Sequence, residues 1–119
     1  MSNLQDFYKQ VGGDADEIVA RLGGNQAFLE KFLIKFLSDG SFDELTEALN
    51  EGDVQTSFRC AHTLKGVAVN LGLQTLFQKA SNVTEFLRAG NLTDAKVAFP
   101  ELQAEYNRTC DLIKVNINQ

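Results

Sequence analysis

The residues of this chain with the clearest chemical potential lie in one segment, CAHTLKGVAVNLG, which spans residues 60–72. The segment holds the only histidine among 119 residues, His62, followed by Lys65 at the third position and Gly66 at the fourth. A neutral imidazole is a nucleophile that can attack phosphorus. A nearby ammonium group attracts the oxygens of a phosphoryl group. Together these residue types suit a histidine that accepts a phosphoryl group.

The helical periodicity around His62 predicts which residues share its surface. With about 100° of rotation per residue, the apolar residues of this helix cover an arc centred near Ala61 and Leu64. Lys65 falls at the border of that arc, from which its long side chain can reach solvent beside His62. The opposite side forms what we call the exposed strip: Gln55, Arg59, His62, Gly66 and Val69.

Gly66 is the one glycine without an obvious structural task. The other eight stand at predicted helix ends, whereas a glycine inside a helix costs about 1 kcal/mol relative to alanine. A position without a Cβ next to His62 would let a second protein approach the imidazole without a clash. On residue types alone an alternative remains: His62 and Lys65 are ordinary solvent-exposed side chains, and Gly66 has no function.

The rest of the chain predicts helices that can position this segment. Apolar residues recur at helical spacing over about 15–22, 26–38, 42–49, 54–71 and 76–87, and again in a last helix. Pro100 fits the first turn of that last helix, or a kink after a short piece near 92–98. Glycines followed by Asp, Asn or Ser mark the connections, and Ser41 with Glu44 forms a capping box.

We therefore predict an all-α fold, an antiparallel four-helix bundle with additional short N-terminal helices, as a single domain over residues 1–119. Four longer helices form the core, and nearly all Phe and Leu residues are assigned to it. Cys60 and Cys110 are far apart in the sequence and are expected to be core or half-buried thiols.

Composition excludes several classes of function. A net charge of −5 and a pI near 4.7 argue against nucleic-acid binding. No apolar run approaches the roughly 18–20 residues that cross a bilayer, and the start MSNLQDFYKQ lacks the features of a secretory signal. The expected location is the cytoplasm.

The segment from His62 to Gly66, with Leu71-Gly72 and Leu76, resembles the signature of histidine-containing phosphotransfer (HPt) domains. The upstream run 20–25, ARLGGN, followed by Phe28-Leu29, is similar to the segment that opens a helix in that family. The resemblance implies that His62 accepts and donates a phosphoryl group and that Lys65 positions it. Gly66 and Val69, with Arg59 and Gln55, would contact the docked partner.

The resemblance also implies the partners. They are response-regulator receiver domains, a hybrid sensor histidine kinase, or both, and phosphate passes between aspartates of receivers through the histidine. The chain would have no kinase activity, cofactor or metal of its own, because the receiver supplies Mg²⁺. A monomer is expected, since a dimer would have to leave the His62 face open.

Val67 stands where the family often has a small residue, and it should pack at the edge of the core.

A polar residue from the following helix is expected near the phosphohistidine. The candidates are Gln78, Asn82, Thr84, Glu85 and Arg88.

Three alternatives to this function differ in how well they fit the residues. A di-iron carboxylate bundle needs a Glu-x-x-His on each of two helices, but the one histidine is preceded at that spacing by Arg59. A helical interaction module that docks receivers without carrying phosphate remains open. So does a relative of the phosphotransfer domain of chemotaxis kinases, which would receive phosphate from a kinase domain.

Overall fold

The computed structural model describes residues 3–117, and within that range it contains seven helices and no strand. In chain order the helices are α1 Leu4–Val11, α2 Ala15–Arg21, α3 Gln26–Phe36, α4 Ser41–Glu51, α5 Val54–Asn70, α6 Gln74–Arg88 and α7 Leu92–Asn116. The predicted all-α class is confirmed. Within the described range, no helix is both long and apolar enough to span a membrane.

Helices α4 to α7 form the antiparallel bundle. Each packs against the next along the chain, because the short connections between them reverse the chain direction. The bundle closes where Phe42 of α4 stacks on Tyr106 of α7, with ring centroids 4.1 Å apart. Its centre is filled by fully buried leucines such as Leu45, Leu64 and Leu102. The predicted bundle is confirmed, and its fourth member is α4, an 11-residue helix.

Helix α7 runs through the only proline of the chain. It is continuous over 25 residues with Pro100 in its interior, so the placement of Pro100 in the first turn is wrong. A proline there removes one backbone hydrogen bond and crowds the preceding turn. Packing on both sides of Pro100 offsets that cost, because Phe99 stacks on Phe42 at 5.5 Å and Leu102 is fully buried.

Helix α3 turns only half of its wide apolar stripe towards the core. Leu29, Leu33 and Phe36 are buried, whereas Phe28 and Phe32 are 52% and 41% exposed. Adjacent positions on a helix diverge by about 100°, so a stripe with two apolar residues per turn cannot be buried completely against one neighbour. The assignment of nearly all phenylalanines to the core is therefore wrong for these two, and also for Phe86 of α6, which is exposed.

The short helices α1 and α2 cover the end of the bundle where α5 ends and α6 begins. The hydroxyl of Tyr8 donates to the carbonyl oxygen of Leu71 at 2.6 Å. From α7, the guanidinium of Arg108 donates to the carbonyl oxygen of Gln10 at 2.7 Å. These contacts tie α1 to the α5–α6 connection and to α7.

The connection between α1 and α2 depends on a close backbone approach. Gly12 ends α1 in the left-handed conformation, with φ 85°. A Cβ on Gly13 would overlap the carbonyl oxygen of Gly72 in the α5–α6 connection. Gly13 is therefore required for contact between two connections, and the helix end that the sequence assigns to it belongs to Gly12.

Most helices begin at the residues that the sequence predicts. Four predicted N-cap residues accept hydrogen bonds through their side chains from backbone N–H groups in the first turn: Asp14, Asn25, Asp53 and Asn91. The capping box at Ser41 is wrong, because Ser41 is already helical and its N–H donates to the carboxylate of Asp39 at 2.8 Å.

Candidate functional site

Helix α5 presents His62 to solvent because its opposite side is held in the core. Ala61 and Leu64 are fully buried. Four residues of the exposed strip are exposed to solvent, and the fifth, Gly66, is partly exposed. Asp53 fixes the start of the helix by accepting a hydrogen bond from the N–H of Thr56 at 3.0 Å. The strip therefore lies where the rotation estimate places it.

The imidazole of His62 has an aromatic neighbour one turn earlier on α5. Its ring and that of Phe58 are stacked, with centroids 5.8 Å apart and planes inclined by 19°. Phe58 is half-buried and also lies below the guanidinium of Arg88 on α6, whose Cζ is 4.9 Å from the ring centroid. Sequence reasoning assigned Phe58 to the core alone and missed this contact.

Lys65 reaches across to α6. Its Nζ lies 3.9 Å from a carboxylate oxygen of Glu85 and 6.0 Å from the centroid of the Phe77 ring. Glu85 also accepts from Nε of Arg88 at 3.2 Å. Lys65 is one turn after His62, and its side chain is 25% exposed. Glu85 thus joins the lysine beside His62 to the arginine beside Phe58.

The structure separates the five polar candidates on α6. Glu85 contacts Lys65 of α5, and Arg88 contacts Phe58 of α5. Thr84 is fully buried, and its hydroxyl donates to the carbonyl oxygen of Ala80 at 2.7 Å. Gln78 and Asn82 are exposed on α6. Thr84 is therefore a structural residue, and Glu85 and Arg88 are the α6 residues linked to the site.

Gly66 borders open space. A Cβ built on it would meet no atom within 4 Å outside the local helix backbone. Val67 is partly buried and packs against the core, as predicted. Nothing inside the described chain therefore requires a glycine at position 66.

An open apolar groove lies between α2, α3 and the C-terminal half of α5. Its volume is about 670 Å³. It is lined by Arg21, Leu22, Phe32, Lys35, Phe36, Ser38, Asp39, Val67, Asn70 and Leu71. Exposed apolar side chains stand on the helices that border it, and we call Phe28, Phe32 and Val69 the docking patch. Val67 is five residues after His62, which corresponds to about 7.5 Å along the helix axis.

The edge of α5 that faces α4 carries an ion pair and a thiol. Arg59 of the exposed strip pairs with Glu44 at 3.2 Å, and Sγ of Cys60 lies 3.5 Å from the same carboxylate. Burial, followed by the nearby Glu44 carboxylate, raises the pKa of the Cys60 thiol. A thiol kept protonated is a poor nucleophile. Cys60 and Cys110 are both free, as predicted.

No group of three or more His, Cys, Asp or Glu side chains within residues 3–117 is arranged to hold a metal ion.

One of the comparisons with known proteins identifies the family. The family model of the Hpt domain matches residues 28–111, a range that contains α4, α5 and α6 entirely and most of α3 and α7. Neither the curated proteins nor the solved structures contain a match to the chain. Hpt domains are phosphocarrier modules rather than kinases. The match covers most of the sequence and includes the exposed histidine, so the chain belongs to the Hpt domain family, whose members carry phosphoryl groups in two-component signalling.

Proposed function

We propose that His62 accepts a phosphoryl group from the aspartyl phosphate of one receiver domain and donates it to the aspartate of another. The observation that carries this proposal is the exposure of the only histidine of the chain, beside open space at Gly66. Both lie in the segment that matches the Hpt family. A convex site of this kind can be reached by the concave active site of a partner.

The transfer needs little chemistry from this chain. The lone pair of the unprotonated ring nitrogen forms the N–P bond, and the P–O bond to the donor aspartate breaks. The electron pair of that bond stays on the aspartate carboxylate, and the other ring nitrogen keeps its proton. Transfer to the next receiver reverses these steps, with an aspartate oxygen as the nucleophile.

Lys65 would hold the phosphoryl oxygens. Its contact with Glu85 is 3.9 Å long and the carboxylate side chain is 56% exposed, and ion pairs of this kind contribute only about 0–1 kcal/mol. The ammonium group can therefore exchange Glu85 for a dianionic phosphoryl group on His62 at little cost. The new contact would be charge-assisted and stronger.

The receiver would bind across the exposed strip and onto the docking patch. Phe28, Phe32 and Val69 expose large apolar surfaces, and exposed apolar patches typically mark sites of protein–protein contact. Val69 lies about two helical turns after His62 on α5, and the patch together with the groove offers a partner an apolar anchor. Arg21 and Lys35 add positive charge at the groove.

The proposal is tested by incubating the protein with a phosphorylated receiver domain. The protein should acquire a phosphoryl group that is acid-labile and alkali-stable, as expected for phosphohistidine. His62→Gln should abolish the label while leaving the circular dichroism spectrum unchanged. Labelling that survives this substitution contradicts the proposal. Receiver binding without labelling of the wild-type protein would favour the docking module that carries no phosphate.

A further inference from the structure

His62 is exposed, but its ring is not without a neighbour. The stack with Phe58, at 5.8 Å and 19°, is the one aromatic contact of His62 within residues 3–117. The two residues are four positions apart on α5, a spacing that places side chains one above the other. Aromatic rings at this separation attract each other beyond the effect of the area they bury. The contact is strong enough to favour one orientation of the imidazole over the others.

Phe58 is itself held from a second helix. The guanidinium of Arg88 lies over its ring at 4.9 Å, a cation–π distance. Arg88 is in turn paired with Glu85, with Nε 3.2 Å from Oε1. The ring of Phe58 is thus fixed by α5 through the backbone and by α6 through Arg88. The imidazole that stacks on Phe58 therefore has a defined position relative to both helices.

A fixed orientation of the imidazole favours phosphoryl transfer. An exposed histidine side chain normally changes rotamer within picoseconds to nanoseconds, and each change turns the ring nitrogens away from an incoming phosphorus. If the ring is already held in one orientation when the partner binds, encounters in which the nitrogen faces away from phosphorus become rare. The same orientation serves both the donor and the acceptor receiver, since both must meet the same nitrogen.

We infer that Phe58, held by Arg88, is a positioning residue that orients the imidazole of His62 for phosphoryl transfer. The inference rests on the proposed function of His62. It adds an aromatic residue one turn before the histidine and a cation on α6 to the residues on which transfer depends. In this role neither residue needs to touch the phosphoryl group, because Phe58 acts through the ring of His62 and Arg88 acts through Phe58.

The experiment uses the fact that the chain has one histidine. Its imidazole C–H signals in a proton NMR spectrum can be assigned without ambiguity, and the ring current of Phe58 should shift them upfield. Phe58→Leu should remove this shift and slow phosphoryl transfer from a phosphorylated receiver by about 10-fold. Phe58→Tyr keeps the ring and should preserve both the shift and the rate. Arg88→Gln should reduce both the upfield shift and the transfer rate, but by less than Phe58→Leu does.

The matched control is Phe86→Leu, the same chemical change at a phenylalanine of α6 that is 36% exposed. It should change neither the histidine signals nor the transfer rate. Thermal unfolding of each variant confirms that the domain stays folded. Because Phe58 is half-buried, Arg88→Gln, which leaves the core intact, keeps the test valid if Phe58→Leu unfolds.

Two results would overturn the inference: histidine signals that do not move in Phe58→Leu, or transfer at the wild-type rate in that variant. In the second case, His62 keeps its proposed role because the wild type still accepts phosphate. If the wild type accepts phosphate from no receiver, the proposed function fails, and the inference fails with it.

Discussion

Gly66 shows at the scale of one residue how stability and access oppose each other. Its Cβ position faces open space, so Gly66→Ala should fit without a clash and stabilise the protein by up to about 1 kcal/mol. Gly66→Gln places a long side chain beside His62 and should slow transfer from a receiver. Thermal unfolding and a transfer assay measure the two effects separately.

Phosphoramidate, a donor small enough to avoid the glutamine, provides the control for Gly66. It should label His62 equally in the wild type and in Gly66→Gln. If transfer from the receiver is also unaffected by the glutamine, clearance for a partner does not explain the glycine.

Lys65 is the second residue for which a single substitution is informative. Removing its ammonium group in Lys65→Ala should slow transfer by about 10-fold, the effect of losing one charge-assisted contact to the phosphoryl group. The control is Lys79→Ala, which removes a lysine of α6 that pairs with Glu101 at 3.3 Å. Transfer rates and unfolding temperatures of both variants are compared. A large loss of stability in Lys65→Ala, rather than of rate, would show that the side chain is structural.

At the scale of the element, the start of α5 governs the helix that carries His62. The hydrogen bond from the N–H of Thr56 is the main reason why the pKa of Asp53 is lowered from its ordinary value of 3.8. A lowered pKa means that the folded state favours the carboxylate. Its stabilising effect is therefore fully present above pH 3.8 and is lost as the pH falls through the lower folded-state pKa.

Substitution of Asp53 tests this cap. Asp53→Ala should lower the unfolding temperature by a few degrees at pH 7, and the difference from the wild type should shrink below pH 3.8. Asp53→Asn is the control, because an amide oxygen also accepts the hydrogen bond, and it should retain most of the stability at both pH values. An alanine variant as stable as the wild type at pH 7 would mean that solvent satisfies the N–H of Thr56 equally well.

The sequence predicted well what a single helix determines. The periodicity of α5 placed His62 and Val69 on the exposed side and Ala61 in the core, because rotation per residue depends only on the helix itself. Contacts between helices were not predictable in this way. The links from Arg88 to Phe58 and from Glu85 to Lys65 depend on the register between α5 and α6, which no pattern within either helix reveals.

At the scale of the whole molecule, the docking patch should determine affinity for the receiver without changing the histidine. Phe32 is 41% exposed and lines the groove, so Phe32→Ser removes apolar contact area from the surface and little from the core. Its loss should weaken receiver binding by about 10-fold, as for an anchor residue at the centre of an interface. Labelling by phosphoramidate should be unchanged, because His62 lies outside the groove.

The matched control is Val97→Ser, a similar change at an apolar side chain of α7 that is 73% exposed. Receiver affinity is measured by calorimetry for the wild type and both variants. A loss confined to Phe32→Ser locates the partner over α3 and the C-terminal half of α5. Equal affinities for all three would place the receiver elsewhere around His62, with contact limited to the exposed strip. Because Phe32 is held by α3 and His62 by α5, binding and transfer can be separated by substitution in this fold.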